Sequence, residues 1–221
     1  MGSLDDFASF FGEFRRDFHH TGAVVPSGVF LAQALVRPLR GPRGSARILE
    51  VGPGTGSVTR EIARRLRGGD RLDAVEINPR FAQMLERRVG RDPVLSRWRD
   101  DIQVINAPVQ EIVGESVYDY IISGLPLNNF SVAEVRSVFT AFTRLLRPGG
   151  ALVYFEYALV RELQAPFVSL GERRRLRRVA RVVGRYVRDH QVRRERIFIN
   201  VPPAIVRQLR LKPGSCERAV R

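Results

Sequence analysis

The chain has 221 residues, 44% of them hydrophobic, enough for one domain with a sizeable core and short for two. Its formal net charge is +14 and its pI is about 11.3, a balance that predicts an anionic partner: nucleic acid, an acidic membrane surface, or both. A single cysteine, Cys216, excludes an intrachain disulfide and a cysteine-based metal cluster.

The first segment, Leu4 to Phe18, predicts an amphipathic helix, because Phe7, Phe10, Phe11, Phe14 and Phe18 recur at helical spacing on one face. Thr21 to Gly28 breaks that pattern. A second helix follows from about Ser27 to Leu39, and Gly41, Pro42 and Gly44 end it. From there the pattern alternates. Strands are expected at Arg47–Val51, Arg71–Glu76, Ile102–Asn106, Tyr118–Ser123 and Ala151–Tyr157, with helices at Thr55–Leu66, Arg80–Val89 and Val132–Leu146. A basic helix from Glu172 to Asp189 comes next, with strands at Arg196–Val201 and Ala204–Leu211 joined by Pro202-Pro203 as a closing hairpin. The fold class is therefore α/β and Rossmann-like. It has a mostly parallel seven-stranded sheet, a C-terminal antiparallel hairpin and N-terminal amphipathic helices. Residues 1–45 form an N-terminal segment and 46–221 the core.

No apolar run approaches the ~20 residues that span a bilayer, and the N-terminus lacks the pattern of a secretory signal. A cytoplasmic protein is expected, free or lying peripherally on a membrane.

Open parallel sheets bind ligands outside the carboxyl ends of their strands, and the motifs fall there. Glu50-Val51-Gly52-Pro53-Gly54-Thr55-Gly56 follows a strand and opens a helix. Its glycines permit a tight turn and close approach of a ligand to the backbone. A dinucleotide fingerprint would put its third glycine where Ser57 stands. Glu50 would repel a pyrophosphate, yet it suits the positively charged aminoacyl and sulfonium groups of S-adenosylmethionine. Glu76, with Ile77 after it, lies about 20 residues on, at the separation where an acid reaches ribose hydroxyls. Asn106-Ala107 ends the third strand, where an adenine edge meets a loop. Ser123-Gly124-Leu125-Pro126-Leu127 ends the fourth strand and is the candidate acceptor loop, offering backbone carbonyls and a polar side chain to an amine. On the fifth strand, alternation puts Val153, Phe155 and Tyr157 on one face and Tyr154 and Glu156 on the other. Tyr157 is the candidate for orienting the amine and for holding a methylated ammonium against its ring.

In combination these motifs resemble those of the bacterial phospholipid N-methyltransferases. Thr21-Gly22-Ala23-Val24-Val25-Pro26-Ser27 is similar to the loop that precedes their core. Glu50 to Gly56 is similar to their cofactor loop, Ser123 to Leu127 to their acceptor loop, and Asn200-Val201-Pro202-Pro203-Ala204 to their closing hairpin. Phe155-Glu156-Tyr157 resembles their Phe-Thr-Tyr strand end, with Glu156 in place of the Thr. The resemblance implies a class I methyltransferase that uses S-adenosylmethionine to methylate phosphatidylethanolamine toward phosphatidylcholine. It implies that Val25 and Ser27 lie at the cofactor, and that the phenylalanine helix docks on anionic membrane. The basic segment 172–196 holds eleven arginines against three acids, which suits the same surface. The competing resemblance is to the rRNA adenine dimethylases, whose acceptor loop carries Asn-Leu-Pro-Tyr. Here Gly124 and Leu127 stand where the base-handling Asn and Tyr would be. A third reading is a cofactor-binding protein without turnover, on membrane or RNA.

Overall fold

The computed structural model describes residues 26–157, 170–198 and 203–210. The expected phenylalanine helix, Val25 and the Asn200–Pro202 part of the hairpin lie outside them. Helix α1 (Pro26–Leu35) is followed by a 3-10 turn, Arg37–Arg40. It stops short of the expected Leu39 because Pro38 has no N–H and disfavours α geometry at Arg37. Two strand–helix units and a third strand follow: β1 (Arg47–Val51), α2 (Ser57–Ala63), β2 (Arg71–Val75), α3 (Pro79–Arg91) and β3 (Ile102–Ile105). Strand β4 (Tyr118–Ser123), helix α4 (Val132–Leu145), strand β5 (Leu146–Tyr157), helix α5 (Leu170–His190) and strands β6 (Gln191–Ile197) and β7 (Ala204–Arg210) complete the order.

The strands form a seven-stranded sheet in the order β3-β2-β1-β4-β5-β7-β6. Pairing is parallel from β3 to β5. Only β7 runs antiparallel to its neighbours, facing β5 from Ala151 opposite Arg210 to Tyr157 opposite Ala204. Strand β6 begins at Gln191, earlier than the expected Arg196. Its side chains are mostly exposed at the sheet edge, so it carries no inside–outside alternation to reveal where it starts.

Each face of the sheet buries its own apolar layer. On one face α4 and α5 bring Phe139, Phe142, Val179, Val183 and Tyr186 onto Leu49, Ile121 and Tyr154. On the other, α1, the 3-10 turn after it, α2 and α3 bring Leu35, Leu39, Ile62 and Leu85 onto Ile48, Ile122 and Val153. Local capping fixes the helix starts. Asn78 accepts from the N–H groups of Arg80 and Phe81 to open α3, and Ser131 with Glu134 forms a reciprocal capping box on α4. The strand order reverses between β1 and β4, so their carboxyl ends splay apart, and that is where ligands enter such sheets.

Candidate active site

The loop after β1 is shaped by glycine. Gly52, Gly54 and Gly56 all have positive φ, at 74°, 55° and 85°, a conformation that side chains disfavour. The loop is then pinned from three sides. The Gly52 N–H donates to the Val75 carbonyl at 2.9 Å, and the Gly56 N–H closes a turn on the Pro53 carbonyl at 3.0 Å. Arg88, from α3, donates to the Thr55 carbonyl at 2.5 Å.

Glu76 is fully buried just past β2. One carboxylate oxygen accepts the Gly54 N–H at 2.9 Å and the other the Asn78 N–H at 3.0 Å. These donors fix its orientation. Asn106 is held by its own amide, which donates to the carbonyls of Glu76 at 2.7 Å and Ile77 at 3.2 Å. With both N–H groups so directed, its side-chain oxygen is turned away from those carbonyls. Glu50 is buried on the α1 face of β1, the face of Ile48.

The loop after β4 packs directly on the glycine loop. The Gly124 N–H donates to the Val51 carbonyl at 2.8 Å. A Cβ at Gly124 would stand 2.8 Å from the Gly52 carbonyl oxygen, so no side chain fits there without displacing backbone. Ser123 is fully buried, its hydroxyl accepting the Leu125 N–H at 3.3 Å. Leu125, Leu127 and Phe130 turn into the core.

A cleft opens at these carboxyl ends, lined by Gly52, Glu76, Ile77, Ala107 and Leu125. Five residues from four separate sequence motifs thus meet in one place. Val109, Gln110 and Val138 also line it; nothing local in the sequence marks them. Tyr157 does not line this cleft; it stands at the carboxyl end of β5, half-buried on the α1 face, with its ring edge-on to Phe155 at 5.1 Å. Ser27 sits in the first turn of α1. Glu156 projects from the opposite face, as alternation predicts. There Arg207 on β7 donates to it at 3.2 Å, and the Tyr154 hydroxyl lies 3.4 Å away. Burial, reinforced by the Glu156 charge, pushes the Tyr154 phenol well above its ordinary range, so it stays protonated.

The donor set suits one kind of ligand. A backbone cradle, a buried acid at the ribose distance, an amide beside the third strand and a second buried acid at Glu50 fit a nucleoside carrying a cationic sulfonium and amino group. Residues 48–150 match the family model of a methyltransferase domain. Over those residues the chain carries an S-adenosylmethionine-dependent methyltransferase domain. Among curated relatives, this methyltransferase is 29% identical to an ornithine lipid N-methyltransferase of Singulisphaera acidiphila, over 66% of this chain and 76% of that one. It is 31% identical to a demethylmenaquinone methyltransferase of Tropheryma whipplei, over 62% of this chain but only 52% of that enzyme's length. Among solved structures, the O-methyltransferase from Bacillus cereus in complex with S-adenosylhomocysteine superposes with a TM-score of 0.63 at 16% identity, covering 94% and 90% of the two chains. That likeness shows the Rossmann-like methyltransferase fold.

Proposed function

We propose that this methyltransferase N-methylates the amine headgroup of a membrane lipid, carrying phosphatidylethanolamine toward phosphatidylcholine. The observation that carries the reading is the loop Ser123–Phe130. Gly124 has no room for a side chain against Gly52, and Leu127 is buried, so the two positions that would carry the base-handling Asn and Tyr offer neither an amide nor an aromatic ring to a nucleobase. Backbone carbonyls remain, and they match a small primary amine, which as the free base has two N–H donors and one lone pair. The related ornithine lipid N-methyltransferase acts on an amine-bearing lipid by its name.

When bound, S-adenosylmethionine supplies an electrophilic methyl on its sulfonium sulfur. The chain's own residues bind and orient. Glu76 and Asn106 would hold the nucleoside, and Glu50 would offset the cationic end from its buried position. The Gly52–Gly56 backbone would let the ligand lie close to β1. Orientation is the main demand, because the methyl is already activated. The amine must lose a proton, and Glu156 is a poor acceptor, engaged with Arg207 on the face away from Tyr157. Water is the remaining base. Tyr157 would hold the amine and, after transfer, the methylated ammonium by cation–π attraction.

The test is methyl transfer into neutral detergent micelles carrying phosphatidylethanolamine, ornithine lipid or a demethylmenaquinone, with RNA in a parallel tube. Label on phosphatidylethanolamine is expected. Label only on ornithine lipid would overturn the headgroup assignment, and label only in quinone or RNA would overturn the amine-lipid reading. Tyr157→Phe should lower turnover on the accepted lipid with little change in cofactor affinity; unchanged turnover would remove Tyr157 from the mechanism.

A further inference from the structure

Helix α5 has two faces of opposite character. Leu176, Val179, Val182, Val183, Tyr186 and His190 are buried, most of them against α4 and the sheet. From Arg174 to Arg188, every exposed residue is an arginine. Arg174, Arg178, Arg181, Arg185 and Arg188 follow one another at spacings of four and three, which places them in one row about 21 Å long. Like charges so spaced repel, each neighbouring pair costing on the order of a few tenths of a kcal/mol. Most of the row has no counterion to relieve that cost: among the described residues, Arg174, Arg178, Arg181 and Arg188 make no ion pair.

Elsewhere among the described residues, many arginines have carboxylate partners. Arg43 pairs with Asp70, Arg47 with Asp73, Arg60 with Asp92, Arg65 with Glu61 and Arg147 with Asp119. The row also has an address. At the start of α5, Arg175 donates to the carbonyl of Phe130, the last residue of the acceptor loop. The start of α5, and with it the near end of the row, is therefore fastened to the end of the acceptor loop. Phe198 lies at the same end of the sheet, one residue beyond Ile197, which is opposite Ala204; it is 73% exposed.

We propose that the arginine face of α5 docks the enzyme on an anionic bilayer, with the acceptor loop at the lipid headgroups; this rests on the lipid-amine reading. The chemistry favours a bilayer over a nucleic acid. The exposed face carries no aromatic ring to stack on a base, whereas a planar array of lipid phosphates matches a straight row of guanidinium groups. The exposed Phe198 would meet the apolar margin of the interface.

The test separates docking from chemistry. Co-sedimentation is measured with vesicles of phosphatidylcholine alone and with added phosphatidylglycerol, for the wild type, the triple variant Arg178→Glu/Arg181→Glu/Arg188→Glu and the corresponding triple Gln variant. Methyl transfer is measured in parallel in neutral micelles. The wild type should sediment only with the anionic vesicles, and the Glu variant should partition roughly tenfold or more weakly. The Gln variant should fall between them, with micellar transfer unchanged in both. Equal sedimentation of all three proteins would overturn the proposal, as would retention of RNA in place of vesicles. Absence of lipid methylation by a wild type that still sediments through these arginines would instead remove the substrate reading and leave the docking face standing.

Discussion

The strand-and-cofactor half of the molecule and the helix α5 use the same residue type in opposite ways. In the first, arginine is structural. Arg43 grips Asp70 with both terminal nitrogens, at 2.6 and 2.5 Å, and Asp70 in turn accepts the N–H groups of Ala46 and Arg67. Arg144 fastens the carbonyls of Gln110, Ile112 and Gly114 beside α4. Along α5, Arg174, Arg178, Arg181, Arg185 and Arg188 form a single exposed row. A guanidinium that is buried must be paired, because leaving its partner alone is costly, while one at the surface contributes little to stability and is available to a ligand. Charge content alone thus says little about role; pairing distinguishes Arg43 and Arg144 from Arg174, Arg178, Arg181 and Arg188.

The sharpest test of that contrast is Arg43→Ala. It leaves Asp70 buried without its counterion and should cost about 3–5 kcal/mol, read from denaturant melts. Burial works against ionisation of Asp70, but Arg43 and the two backbone N–H groups outweigh it and hold the carboxyl below its ordinary value of 3.8. Its contribution is therefore complete above that value and drains away as pH falls through the lower folded one. The wild type should lose this share of stability only in strong acid. The variant should lack it throughout, and parallel stability–pH curves for the two proteins would contradict the assignment.

Smaller effects are expected at the cofactor loop. Glu76→Gln removes a charged acceptor and should weaken S-adenosylmethionine binding by about ten- to a hundredfold in calorimetry. Gly124→Ala pushes a methyl group toward the Gly52 carbonyl and should cost about 1–3 kcal/mol, with a matching loss of cofactor affinity. Arg175→Ala should cost about 1 kcal/mol and lower turnover a few-fold, while cofactor affinity stays near that of the wild type. At the far end of the scale, Arg181→Ala should change the melting free energy by less than about 0.5 kcal/mol. A loss there as large as that at Arg43 would erase the distinction between the two regions.

What was legible in the sequence follows the range of each interaction. The glycine loop, Glu76 and Asn106 are legible because they stand at strand ends, at spacings that the βαβ repeat imposes. The sides of β5 are legible because side chains alternate, and Tyr154 and Val153 do bury on opposite faces. The partners of those residues are not legible. Arg207 lies 51 positions from Glu156, Arg175 lies 45 from Phe130 and Arg88 lies 33 from Thr55; only the folded sheet brings them together. The start of β6 escaped for another reason: an exposed edge strand leaves no periodic trace.

The measurement that bears most directly on the account is transfer of labelled methyl from S-adenosylmethionine to vesicles of phosphatidylethanolamine and phosphatidylglycerol, at low and at high salt. The account predicts label in N-methylated phosphatidylethanolamine at low salt and its collapse at high salt, where the arginine row is screened, with transfer in neutral micelles indifferent to salt. Label that never enters the lipid amine, at any salt or in any dispersion, would contradict it.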